Sequence, residues 1–380
     1  MLDIVLTDNI ESIGAEQWNA LCGTDYPFLR YEFLHALERS GSVGQGTGWH
    51  PLHLIVQDGE QPVAVMPMYL KQHSYGEYVF DWAWADAYNR YGLDYYPKLI
   101  TAIPFTPAYG PRFGSALAEE DLAKILTETL PEIAGKVGAS SWHGLFTPAT
   151  LRDALAGNHI MPRLGSQYHW FNKQYKSFDD FLERFSSRKR KNLRKERRKV
   201  QDQGVELRVF EGKEITPTHF QHFYDFYQLT YLKRGRKGYL TPEFFTLLHE
   251  TMPEQLVMVM AFVDDKPVAG ALSLRSSTTL YGRYWGCLEE YDSLHFETCY
   301  YQGIEYCIRE GLQRFDPGAQ GEHKIQRGFE PIETWSVHWI QEEGFREPIA
   351  RFLEEEEAMM RKQIAELTTW LPFKQAECSE

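Results

Sequence analysis

The sequence is poor in cysteine. Five occur in 380 residues, and Cys22, Cys287, Cys299, Cys307 and Cys378 form no CxxC pair. That excludes a disulfide framework and a thiolate zinc site, and it fits a reducing compartment. Long apolar runs are also missing. No stretch approaches the roughly 18 apolar residues of a spanning helix, and Leu256 to Val263 has the length of a buried strand. The start, Met1-Leu2-Asp3-Ile4, has neither the basic nor the long apolar region of a secretory signal, so a cytoplasmic protein is expected. Positive charge is in deficit: 40 Lys and Arg face 53 Asp and Glu, for a formal net charge of -13. That argues against a general nucleic-acid or membrane coat. No His, Cys or acid spacing is that of a metal site; His219 and His222 stand alone, and no metal is expected.

What is present suits a folded, ordered chain. Hydrophobic residues make up 43% of the chain and aromatic ones 14%, enough for a core and for clefts both apolar and hydrogen-bonding. At roughly 150 residues per domain, the length suggests two. The scarce positive charge is concentrated: from Arg188 to Lys199 nine residues are basic and one, Glu196, is acidic. An acidic chain with one basic block points to one localised anionic partner, although most charge runs are simply solvated helix faces.

Periodicity sets the elements. In the second half, Gly204 to Phe210 alternates as a strand does. Thr218 to Leu232 is helical, and Thr241-Pro242 opens another helix. Leu256 to Asp264 and Pro267 to Ser276 form a hairpin, and Thr279 to Leu288 a third strand. A helix over Phe296 to Gly311 follows, then strands at Arg314 to Pro317 and Glu333 to Ile340, then an amphipathic helix over Ile349 to Trp370. The first half repeats this order: a strand over Leu2 to Thr7, helices over Ala15 to Cys22 and Tyr31 to Ser40, and a hairpin around Asp58-Gly59. Strands at Glu77 to Trp82, Leu99 to Phe105 and Ser141 to Phe146 and a helix over Asp121 to Val137 complete it. The predicted fold is α/β of the mixed α+β kind, with domains over 1–165 and 166–380 and a basic helix over 186–200.

Three stretches carry a resemblance. Ser186-Ser187-Arg188-Lys189-Arg190-Lys191-Asn192-Leu193-Arg194-Lys195 follows an amphipathic helix. Tyr281-Gly282-Arg283-Tyr284-Trp285-Gly286 lies in a strand. Phe315-Asp316-Pro317-Gly318-Ala319-Gln320-Gly321-Glu322-His323-Lys324 precedes Arg327-Gly328-Phe329. Together they resemble the FemAB-like predicted N-acyltransferases of the GNAT superfamily. The resemblance implies two tandem GNAT-like domains, each a mostly antiparallel sheet flanked by helices. It also implies transfer of an acyl group from an activated donor to an amine acceptor. The donor would be an acyl-CoA or similar thioester as co-substrate, or, in an alternative Fem-type peptidyltransferase, an aminoacyl-tRNA. At the junction where GNAT enzymes bind pyrophosphate, this chain has Glu289-Glu290-Tyr291-Asp292, and three carboxylates repel such a ligand. A non-catalytic nucleic-acid-binding or regulatory protein is the reading from a different class.

Acyl transfer to an amine needs an uncharged nucleophile, a base and donors for the oxyanion. Glu322 or His323, beside Gly318 and Gly321 at a strand end, is the expected base; the bland account is structural hydrogen bonding. Lys324 either neutralises a phosphate or carboxylate or is a surface lysine, and Gln320 would orient substrate. Strict alternation puts Tyr281, Arg283 and Trp285 on one face, where Arg283 needs an anion: substrate or an acid such as Glu297. Glu297 is a catalytic candidate or a helix N-terminal acid. Arg188, Lys189, Arg190 and Arg194 would hold donor phosphates. Tyr91 and Tyr109 sit in polar-aromatic clusters that either line an acceptor pocket or pack beneath loops.

Overall fold

A computed structural model describes residues 2–157, 159–319 and 321–374. The chain forms two compact units. The first runs from the N-terminus through Ser166 and takes in Tyr239–Leu247 and Glu333–Lys362; the second holds Gln167–Gly238, Leu248–Ile332 and the chain from Gln363.

In the first unit, Leu2–Thr7, His53–Asp58, Gln61–Met66 and Gly114–Ser115 are successive neighbours in an antiparallel sheet. A second sheet joins Trp49–Pro51, Tyr69–Lys71, Lys98–Thr101 and Ser141–Thr147, the last two in parallel. Ser141–Thr147 then takes an antiparallel partner from far along the chain, the Trp335 to Ile340 stretch of strand Glu330–Ile340. Helix Glu119–Val137 presents Leu122, Leu126, Leu130 and Ile133, spaced by three and four, to a core with Leu54, Trp142 and Val337.

One element departs from expectation. Glu77 to Trp82 is not a strand but a loop leading into helix Trp82–Arg90. Its apparent alternation comes from two acids turned inward. The Lys98 ammonium, wholly buried, donates to Glu77 at 2.8 Å and to Asp81. Burial of three charges on one site fixes the loop more strongly than strand propensity.

In the second unit the sheet order is Glu206–Glu211, Leu256–Val263, Lys266–Arg275, Thr279–Cys287, Arg314–Asp316, then the end of Ile160–Phe171. Only the pair Thr279–Cys287 with Arg314–Asp316 is parallel. The hairpin after Val263 turns through Asp264 and Asp265, both at positive φ, as a two-residue primed turn demands. Helix Pro217–Leu232 is capped by Thr216, whose side chain accepts from His219 N–H. It lies so close to the sheet that a Cβ on Gly286 would meet the Phe226 carbonyl at 2.0 Å. The segment after Ser293 is a one-turn helix Leu294–Phe296, a π-turn Glu297–Tyr301 and helix Gln302–Glu310, closed by Gly311 in the left-handed conformation. Trp170, Phe181, Leu193, Tyr301, Ile304, Phe315 and Phe329 build the core behind these elements. Mixed α/β with mostly antiparallel sheets flanked by helices is thus the observed fold class. No helix among the described residues is long and apolar enough to cross a membrane.

Candidate active site

The site begins where two strands part. Thr279, Leu280 and Tyr281 pair with Arg314, Phe315 and Asp316, and the ladder stops there. On one side the next residue is Pro317, which has no N–H to continue it, and Gly318 turns away at φ 94°. On the other side Arg283 is the extra residue of a bulge: Gly282 pairs with Ser273 and Tyr284 with Leu272. The gap is a cavity of about 310 Å³ lined by Gly282 to Trp285 and Pro317 to Ala319 from the two strands. Tyr227, Tyr231 and Arg234 enter from helix Pro217–Leu232 and the turn after it, and His295, Cys299, Tyr300, His323 and Lys324 complete the far wall.

The bulge corrects the expected side-chain pattern. Trp285 lines the cavity with Arg283 and Tyr284, but Tyr281 is buried beneath the Arg283 guanidinium, 5.4 Å from its ring centre. Arg283 meets Asp316, not Glu297: Nη2 donates to Oδ2 at 2.5 Å and Nη1 to Oδ1 at 3.2 Å. Asp316 is fully buried and also accepts the Gly318 N–H at 2.9 Å. Its carboxyl titrates far below the usual range although burial pushes the other way, because Arg283 and His169 stand beside it. This pair anchors the root of the splay.

His323 stands at the wall. Its Nε2 is 3.0 Å from the Tyr300 hydroxyl, which also reaches His295 Nε2 at 3.4 Å. A Cβ on Gly321 would strike the His323 ring at 2.4 Å, and Gly321 sits at φ 117°. Both facts require glycine there. Burial, then Arg327 and Lys324, lower the His323 pKa; His295 falls to about 4 through burial and nearby cations, first His323. Burial raises the Tyr300 pKa, so its hydroxyl keeps its proton. Two neutral imidazoles therefore flank one phenol at neutral pH. Lys324 is buried, donates to the Gly318 carbonyl at 2.7 Å, and has its pKa pulled down to about 8 by burial.

The other sequence candidates fall elsewhere. Glu322 is exposed, as its neighbour His323 is, but unlike His323 it does not line the cavity. Glu297 is buried in an ion pair with Arg197 at 2.8 Å, and Arg197 also holds Glu305 at 2.7 Å. Tyr91 and Tyr109 belong to the first unit; Tyr91 is exposed and the Tyr109 hydroxyl accepts the Ala149 N–H at 3.2 Å. Gln320 lies outside the described residues. Sequence reasoning missed Tyr300, His295, Asp316 and Tyr284. An acid two residues before a glycine, at the end of a short strand, was the available signal for Asp316.

The basic segment is helix Ser187–Asp202, held by buried Leu193 and Val200. Several of its cations are engaged: Lys189 with Gln326, Arg194 with Asp179 at 2.9 Å, Lys199 with Asp292 at 2.6 Å. Arg188, Lys191, Lys195 and Arg198, spaced by three and four, form an exposed stripe with no ion pair among the described residues. Arg190 likewise has no carboxylate partner there. Of the four expected phosphate contacts, Lys189 and Arg194 are thus committed within the protein, while Arg188 and Arg190 are open. The acidic junction is partly neutralised, because Lys199 pairs with Asp292 and Lys233 lies 3.7 Å from Glu290.

Known structures share this fold at low identity. FemX is 11% identical, with a TM-score of 0.54 over 90% of this chain and 98% of that one. The C-terminal domain of a candidate lysylphosphatidylglycerol synthetase from Agrobacterium fabrum is 12% identical, with a TM-score of 0.53 over 92% and 96%. A conserved protein of unknown function from Bacteroides thetaiotaomicron is 12% identical, with a TM-score of 0.53 over 89% and 100%. No curated protein sequence matches. The family model described as peptidoglycan biosynthesis/recognition matches residues 9–375, and the chain therefore belongs to the FemAB-like family.

Proposed function

We propose that the second unit transfers an acyl group from an activated donor to an amine. The observation that supports this most is the neutral His323–Tyr300–His295 row on the wall of a cavity opened by two parting strands. Family membership supports the same class, a transferase. The acceptor nitrogen attacks the acyl carbonyl, and the C–N bond forms. His323 takes the proton the amine sheds, with Tyr300 holding its ring. The bond to the donor's leaving group then breaks, and the proton passes to that group. Burial in the cavity, aided by the Arg283 guanidinium, favours the neutral form of the incoming amine, as it does for Lys324. Glu322 has no place in this scheme.

The donor is proposed as an acyl-CoA or similar thioester, docked by its phosphates on the Arg188, Lys191, Lys195 and Arg198 stripe. That stripe equally favours an aminoacyl-tRNA, and salt separates the two. Turnover with a panel of acyl thioesters and aminoacyl-tRNAs, against amine acceptors that include peptidoglycan precursors, tests the proposal. Product from a thioester with shallow salt dependence is the expected result. Tight RNA binding with no product from any donor would mean a nucleic-acid-binding protein instead.

The double reversal Lys191→Glu with Lys195→Glu should raise the donor KM roughly tenfold or more with little change in kcat. Both side chains are exposed and make no ion pair among the described residues, so the fold should be unaffected. Arg194→Glu, whose guanidinium already serves Asp179, is the control. An equal KM effect in the control would return the helix to a solvated face.

A further inference from the structure

The cavity is electrostatically at odds with the protein around it. The chain carries 53 acids and a net charge of -13, yet none of the described residues lining the cavity is Asp or Glu. Arg234, Arg283 and Lys324 line it, with two histidines that stay neutral. Arg283 is matched by Asp316 behind the wall, through two hydrogen bonds. Lys324 makes its hydrogen bond to a carbonyl, that of Gly318. Arg234 is exposed, and its side chain has no ion pair or hydrogen bond among the described residues. Both cations are close enough to His295 to depress its titration. Aromatic residues also line it: Tyr227, Tyr231, Tyr284, Trp285 and Tyr300.

A buried ammonium with no carboxylate in hydrogen-bond reach is costly: burial lowers the Lys324 pKa although Asp316, already held by Arg283, acts to raise it. Evolution of such a site without a compensating ligand gains nothing in stability. A ligand carboxylate supplies the missing charge, and the planar walls receive an apolar body.

We infer that the cavity binds a carboxylate, as part of a ligand with an apolar body, and rejects ligands whose only charge is an ammonium. This rests on the transfer reading for its role and narrows the substrate. An acyl group with a free α-ammonium is disfavoured. The bound carboxylate belongs either to the acyl group or to an amino-acid-like acceptor, and the chemistry recognised is the same.

The test measures binding alone, so it stands whether or not transfer is ever seen. Affinities of 4-phenylbutyrate, its primary amide, 4-phenylbutylamine and phenylalanine are measured by calorimetry at pH 7. The acid should bind at least tenfold tighter than the amide, and the amine should not bind. Arg234→Gln should weaken the acid about tenfold or more while Arg234→Lys retains most of the affinity; Lys324→Met provides a second, independent loss. Phenylalanine binding as well as the acid assigns the carboxylate to the acceptor, and phenylalanine failing while the acid binds assigns it to the acyl group. The inference is overturned if the amide or amine binds as tightly as the acid, if no carboxylate binds, or if Arg234→Gln and Lys324→Met leave the acid unchanged. Binding of the acid with no turnover from any donor would keep this inference and remove the transfer reading.

Discussion

Replacing Asp316 with Ala should destabilise the protein by about 3–5 kcal/mol, the largest effect expected of any single substitution in the second unit. The carboxylate is fully buried and holds Arg283, whose side chain is 2% exposed. Its removal takes the paired carboxylate from a buried guanidinium and the acceptor from the Gly318 N–H. Removing both partners, as in Asp316→Leu with Arg283→Met, should recover much of the loss, because the uncompensated charge is gone. Denaturant melts of the three proteins, wild type included, measure this, and an Asp316→Ala loss under about 1 kcal/mol would mean that water or another acid reaches Arg283. The sign with pH follows. Asp316 titrates lower in the folded state than in the unfolded chain. Its contribution is therefore complete above the ordinary carboxylate range and fades as pH falls through and below it.

His323→Ala should lower kcat/KM by about 10²–10³, within the usual range for loss of a positioned base. The pH profile distinguishes chemistry from packing. The folded pKa of His323 lies below the ordinary 6.5, so the wild-type rate should stay level through neutrality and fall only on acidification beyond that value. The variant should lose this acidic limb. Tyr300→Phe keeps the ring packing and removes only the shared hydroxyl, so it should give a smaller loss and shift the limb. An unchanged acidic limb in His323→Ala would remove the imidazole from the chemistry, whatever the rate.

Much of the frame was legible in the sequence because it depends on local pattern. The hairpin over residues 256–276 is set by its apolar strands and by Asp264-Asp265, which accept positive φ. The helix at Pro242 is set by Thr241, whose hydroxyl accepts the Phe244 N–H at 3.3 Å. The basic helix follows from its composition. The site was legible only at the level of segments. The strand carrying Arg283 and the loop carrying His323 and Lys324 do meet, but alternation fails at the bulge, and no local rule announces one extra residue. Asp316 and Arg283 are 33 residues apart; either alone resembles a surface charge. Lys324 reads as solvated until the fold buries it, and Glu322 reads as catalytic until the turn points it outward. In the first unit, Glu77 and Asp81 imitated the polar face of a strand because their partner, Lys98, is supplied by another element.

The strand pairing of Ser141–Thr147 with Trp335 to Ile340 bears on how the protein is made. His143 and His338, 2.7 Å apart in the finished structure, are 195 residues apart in the chain. At the usual elongation rates of about 5–20 residues per second, the first strand leaves the ribosome roughly 10–40 s before its partner exists. Ser141–Thr147 is buried along its whole length in the native state, yet in the nascent chain the edge that takes Trp335 to Ile340 has no partner. The first unit to be started thus cannot close until its Glu333–Lys362 segment has been made, after most of the second unit.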